Sequence, residues 1–136
     1  FLMIRRPPIS TLSSSSAASD VYKRQSKIHR AVITDSNLEY EGSIAIDPVL
    51  LEAADIYVNE MVWVFNINNG QRFQTYIIKG RKGSGEVCLN GAAARLGMKG
   101  DKVIILSTAM MEDEKSRNYK PKMVLVGQNN KIEKIK

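Results

Sequence analysis

The sequence predicts a mainly β fold, closed or sandwiched, with short connecting helices. Short runs rich in Val, Ile, Phe, Thr and Tyr recur between residues 27 and 127, each bounded by Gly, Pro, Asn or Asp. The helical signals between them cover only a turn or two, and no strand–helix–strand rhythm is present, so a parallel α/β sheet is not expected. A length of 136 residues with 43% apolar and 25% charged content suits one soluble domain.

Residues 1–25 (FLMIRRPPISTLSSSSAASDVYKRQ) have no sustained period, a Pro-Pro pair and a serine run. They are expected to be disordered. Arg5-Arg6 is followed by PPISTLSSSS rather than an apolar core, which argues against a secretory leader. The segment resembles translated sequencing-adapter read-through, so a non-native extension is expected, with the domain proper over 26–136.

Residues 27–34 alternate partly and read as a strand, and Asp35-Ser36-Asn37 is expected to turn the chain. Gly42-Ser43 follows, ahead of an apolar strand. Asp47-Pro48 is an N-cap followed by proline at the first helical position, and opens a short helix to residue 54. Residues 61–67 (MVWVFNI) and 72–79 (RFQTYIIK) form a hairpin across Asn68-Asn69-Gly70, residues that tolerate positive φ. The GRKGSGE loop at 80–86 is glycine-rich and basic, but lacks the spacing and the following helix of a phosphate loop. Residues 86–89 read as a strand, and 90–96 as a short capped helical turn that Gly97 stops. The run KVIILSTAM at 102–110 predicts a strand buried on both faces. A charged connector at 111–118, a strand at 121–127 and a basic tail at 128–136 complete the chain.

The net charge of +6 is modest, and Arg5, Arg6, Lys23 and Arg24 against Asp20 put half of the excess in the first 25 residues. Spread so thinly over the domain, it argues against nucleic acid as the main ligand. Cys88 is the only cysteine, which excludes an intrachain disulfide and fits a reducing cytosol. It reads as a small strand residue. One cysteine and one histidine cannot build a Cys/His zinc centre in a single chain. No apolar run approaches the roughly 20 residues of a membrane span.

Local residues leave Gly42-Ser43 either as a turn feeding a strand or as a bond that Ser43 cuts by attacking the Gly42 carbonyl. Four ordered blocks carry the second reading: Lys27-Ile28-His29-Arg30, Tyr40-Glu41-Gly42-Ser43, Asn69-Gly70 with Arg72-Phe73 and Thr75-Tyr76, and Asn90-Gly91-Ala92-Ala93-Ala94. Together they resemble the pyruvoyl-dependent aspartate decarboxylase family over about 100 residues. Phe65 stands where some members carry tryptophan, with Trp63 on the same strand face.

The resemblance implies a double-psi β-barrel in a cytoplasmic homotetramer that decarboxylates L-aspartate to β-alanine for pantothenate synthesis. It implies autocatalytic cleavage at Gly42-Ser43, conversion of Ser43 to a covalent pyruvoyl group, and no metal or pyridoxal phosphate. Thr75 is then expected to polarise the carbonyl during cleavage and to contact substrate, and Tyr76 to donate a proton to the α-carbon. Arg72 is the fork for a substrate carboxylate and Lys27 adds positive potential. Gly91, Ala92 and Ala93 let the substrate approach the backbone, with His29, Tyr40 and Asn90 in support. Taken singly, Thr75, Tyr76, Arg72 and His29 also read as ordinary strand, packing or surface residues. Strand alternation puts Arg72 and Tyr76 on one face and Thr75 on the other, so a bulge or a subunit boundary is expected. An accessory maturation factor is left open. The competing readings are a non-catalytic barrel that binds an acidic partner through Lys79, Arg81, Lys82 and Lys99, and a pyruvoyl decarboxylase of another amino acid.

Overall fold

The computed structural model describes Met3–Ile4 and residues 20–136. Among these described residues ten strands form one sheet: β1 (Met3–Ile4), β2 (Asp20–Val32), β3 (Asp35–Asn37), β4 (Ser43–Ile46), β5 (Met61–Asn66), β6 (Arg72–Lys79), β7 (Val87–Asn90), β8 (Lys102–Glu112), β9 (Lys122–Val126) and β10 (Ile132–Ile135). Their order is β10-β9-β2-β8-β5-β6-β4-β7-β3, with β1 on β8. Helices α1 (Pro48–Ala54) and α2 (Asp113–Asn118) and a 3₁₀ turn at Gly91–Leu96 connect them. The fold is mainly β, as the turn-punctuated short strands predict.

Sequence-distant strands meet at the centre. β2 lies between β8, antiparallel, and β9, parallel. β4 lies between β6, parallel, and β7, antiparallel, and all four of its residues are buried. Their inward side chains, among them Ile28, Ile44, Ile46, Val62, Val64, Ile77, Leu89 and Ile105, make one core with Leu50, Leu51 and Ala54 of α1. Each such aliphatic side chain contributes about 1.5–3 kcal/mol on leaving water.

Several boundaries differ from those expected. β2 begins at Asp20 rather than near residue 27, because β8 runs on to Glu112 and pairs Asp20 with Glu112 and Arg24 with Thr108. A register shift between Arg24 and Ser26 breaks the alternation, so Gln25 and Ser26 are both buried. The expectation of disorder for residues 1–25 is thereby corrected at Met3–Ile4 and from residue 20 onward; for 1–2 and 5–19 it lies outside the described residues. Asp35–Asn37 is a short strand parallel to β7, and the turn falls just after it. Only one face of β8 is fully buried as far as Thr108: Val103, Ile105 and Ser107 point inward, while Ile104, Leu106 and Thr108 are half-buried. The charged connector splits into the end of β8 and α2. The basic tail pairs with β9 as β10, though its side chains stay largely in solvent.

The helix signal at Asp47-Pro48 holds. Asp47 Oδ1 accepts from Val49 N at 2.9 Å and from Gly83 N at 2.9 Å, and Oδ2 accepts from Gly85 N at 2.8 Å. The glycine-rich loop therefore cradles an anion, and the anion is the protein's own carboxylate. Burial pushes the Asp47 carboxyl up, but the three backbone N–H groups and the Lys82 charge outweigh it and hold its pKa below the ordinary value. A lowered pKa gives stability that is present above the ordinary carboxylate value and lost as pH falls through the folded value. Asp47→Asn is expected to destabilise the protein by roughly 1–3 kcal/mol at neutral pH. Urea titrations should show the gap to wild type narrowing below the ordinary carboxylate range.

Candidate active site

Ser43 opens β4 directly after the bend at Gly42 and is fully buried. Its hydroxyl donates to the Glu41 carbonyl oxygen at 3.1 Å and accepts from Asn90 Nδ2 at 3.1 Å. Register explains the second contact, since Ser43 faces Asn90 across the β4–β7 ladder. Asn90, 4% exposed, makes no side-chain cap to the helical turn that follows it, contrary to the capped turn expected. Gly97 likewise is extended rather than left-handed, and lacks a side chain because a Cβ would lie 2.8 Å from Leu89 Cδ1.

The backbone here is closely packed. Gly91 has φ +62°, and a Cβ on it would stand 2.5 Å from Gly42 N, 2.6 Å from Gly42 Cα and 2.7 Å from the Tyr40 carbonyl oxygen. Gly91 is thus the residue that must lack a side chain. Gly42 itself is not in the left-handed region, and a Cβ there would meet only Ala92 N, at 3.8 Å. The left-handed residue at this junction is therefore Gly91 and not Gly42.

Two clefts lie near this junction, and one of them reaches Gly42 itself. One, of about 330 Å³, is lined by Gly42, Thr75, Tyr76, Ala92 and Ala93 together with Met61, Phe73, Gln74 and Leu96. The other, of about 410 Å³, is lined by Tyr40, Ala45, Cys88 and Asn90, with Lys79, Arg81 and Glu86 on its wall. A larger open groove of about 650 Å³ along α2 holds none of the predicted site residues. The β5–β6 pairing runs without a shift from Met61↔Tyr76 to Phe65↔Arg72, so the expected bulge is absent from these paired residues. Thr75 points inward and Tyr76 outward, yet both border the smaller cleft.

Arg72, Lys27 and His29 stand apart from it. The Arg72 guanidinium lies 4.7 Å from the centroid of the Phe65 ring, itself 6.2 Å from Trp63. Across the sheet, Lys27 aligns with Leu106, Trp63 and Gln74, and His29 with Ile104, Phe65 and Arg72. Lys27 and Arg72 thus share one face, but their backbones are three strand spacings apart across the sheet, roughly 14 Å, and offset by two residues along it. Burial, then the nearby Arg24 charge, lowers the Lys27 pKa. Burial, then the Lys27, Arg30 and Lys136 charges, lowers that of His29. His29 Nδ1 has no hydrogen-bond partner among the described residues. No three His, Cys, Asp or Glu side chains converge as a metal site among those residues.

A small mainly β protein with a serine buried at a glycine junction, its hydroxyl gripped by an asparagine amide, is the class that fold and site define. The chain belongs to the aspartate decarboxylase family, whose model matches residues 21–133. It is 59% identical over 110 residues to the aspartate 1-decarboxylase of Thermoanaerobacter pseudethanolicus, covering 81% of this chain and 94% of that one. The aspartate 1-decarboxylase of Ralstonia nicotianae is 54% identical over 112 residues, covering 82% and 93%.

Gly91→Ala is expected to destabilise the fold by roughly 2 kcal/mol or more, through both the forced φ and the clash with Gly42. Thermal melting of Gly91→Ala beside Gly97→Ala, whose clash is with a movable leucine side chain, should show the larger loss at Gly91.

Proposed function

We propose that this chain cuts itself between Gly42 and Ser43 and then decarboxylates L-aspartate to β-alanine. The observation that carries the reading is the buried Ser43 hydroxyl, held between Glu41 and Asn90 at the Gly42 junction. The names of the similar proteins support aspartate as substrate over another amino acid.

In self-cleavage Ser43 Oγ bonds to the Gly42 carbonyl carbon, the C–N bond breaks, and the hydroxyl proton ends on the freed amine. Thr75, 8% exposed and on the same cleft wall as Gly42, polarises that carbonyl. The Ser43 Cα proton is then lost and the Cβ–Oγ bond breaks, which releases Gly42 as a carboxylate. Water replaces the amine on the remaining dehydroalanine, ammonia leaves, and Ser43 becomes a pyruvoyl group.

That group fits the site, because Gly42, Ala92 and Ala93 present nothing larger than a methyl group beside the junction, while Met61, Phe73, Gln74 and Leu96 line the rest of the cleft. When present it supplies a ketone carbonyl that takes the substrate amine and accepts the electron pair left by carbon dioxide. Tyr76, on the same cleft, donates the proton of its hydroxyl to the α-carbon. Arg72 binds a carboxylate through its fork, and Lys27 adds charge for a dianionic substrate.

Within one chain Lys27 and Arg72 rise from strands roughly 14 Å apart at the backbone, and neither borders the cleft that holds Gly42, Thr75 and Tyr76. We therefore take the working form to be a homotetramer in which neighbouring copies complete each site, with cytoplasmic location. The reading as a binder of acidic partners is weakened at its cations, since Arg81 lies 3.9 Å from Glu86 and Lys82 3.6 Å from Glu52.

Purified wild type should run as two fragments split at position 42, and Ser43→Ala as one inactive chain; a cut alanine variant would refute the mechanism. Tyr76→Phe should cut normally but lose on the order of a hundred-fold or more in decarboxylation rate. Lys27→Ala and Arg72→Ala, each inactive alone, should regain on the order of a quarter of the wild-type sites when co-expressed in mixed oligomers. Activity assays on the co-purified mixture would count them.

A further inference from the structure

We propose that Cys88 is a positioning residue for self-cleavage: its thiol donates to Asn90 Oδ1 and so keeps the Asn90 amide N–H turned toward Ser43 Oγ. The inference rests on the self-cleaving reading of Gly42-Ser43, and adds to it a residue that touches neither the scissile bond nor the substrate.

The geometry is a relay along one strand face. Residues 88 and 90 are two apart on β7 and face Ala45 and Ser43 across the ladder. Cys88 Sγ lies 3.4 Å from Asn90 Oδ1, and Asn90 Nδ2 lies 3.1 Å from Ser43 Oγ. All three side chains are buried, at 9%, 4% and 0% exposure. Cys88 is the only side-chain or backbone donor to Oδ1 among the described residues. The two ends of a carboxamide have nearly the same shape, so its orientation is set by its partners. A thiol is a weak donor and a weak acceptor, and here it pairs with the better acceptor end, which turns the N–H outward to the serine. Burial, then the Asp35 and Glu86 charges, pushes the Cys88 thiol pKa up, so it keeps its proton and remains a donor.

The orientation matters most in the second step of cleavage. There the Ser43 Cα proton passes to water, its electron pair becomes the Cα–Cβ double bond, and the Cβ–Oγ pair leaves on Oγ as part of the Gly42 carboxylate. An amide N–H on Oγ stabilises that developing charge, whereas an amide oxygen turned the same way would repel it.

The test follows self-cleavage of the freshly synthesised full chain by gel and intact mass, with hydroxylamine to trap the ester. Cys88→Ser keeps a donor and should retain most of the rate. Cys88→Ala and Cys88→Val lack one and should be slower by roughly five-fold, with hydroxylamine-sensitive chain accumulating. Melting each substitution in the uncut Ser43→Ala background separates packing from chemistry, and if one non-donor variant does not fold the other carries the comparison. Cleavage of the alanine or valine chain at the serine variant's rate, with wild type cutting normally, overturns the role of Cys88. A wild-type chain that never cuts at position 42 overturns the underlying reading instead.

Discussion

Gly91 lacks a side chain because the backbone of Gly42 occupies the place where one would stand. That approach, made with φ +62°, closes the end of β7 over the start of β4. From it follow the pairing of Ser43 with Asn90 and the burial of the serine hydroxyl, with Gly42 left on the wall of the smaller cleft. A β-carbon at this point would push the two strands apart, and the site would lose its asparagine before any chemical group had been altered.

Much of the fold is legible in the sequence where the signals are local. The β5–β6 hairpin follows from two alternating runs and an Asn-Asn-Gly turn, and α1 from Asp47-Pro48. The N-terminal half of β2 is not legible, because Asp20 to Gln25 is a polar stretch whose partner lies some ninety residues away on β8. β10 hides for a related reason: beyond the half-buried Ile132 its side chains face solvent, so its ladder with β9 is what marks it as a strand. The site divides the same way. Period-two alternation correctly sends Thr75 inward and Tyr76 outward. Asn90 reads locally as a helix cap, and only the non-local β4–β7 register turns it toward Ser43.

The polar interior is arranged to hold the ends of strands. Asp47 ties the start of α1 to the glycine-rich loop, and Asn130 bonds both Val32 and the Gly85 carbonyl, fastening the same loop to the end of β2. β2 itself shifts register twice, before Ser26 and after His29, with Arg30 at φ +70° in the second shift. Left-handed backbone at a non-glycine residue costs of order 1–3 kcal/mol. Lys27, Ile28 and His29 are the segment between the two shifts, and their aim across the outer face is set by both.

The placement of β2 has a consequence for the cut protein. A break after Gly42 leaves β1, β2 and β3 on the smaller fragment, yet β2 sits between β8 and β9, and β3 lies on β7. The two pieces are interleaved, and neither can leave without dismantling the ladders of the other. Once unfolded, they would have to find each other as separate molecules, so reassembly would depend on concentration where the original folding did not. With the proposed cut the fold would be acquired as one chain and kept as two, and the lifetime of the product would be governed by how slowly it opens rather than by how readily it would form again.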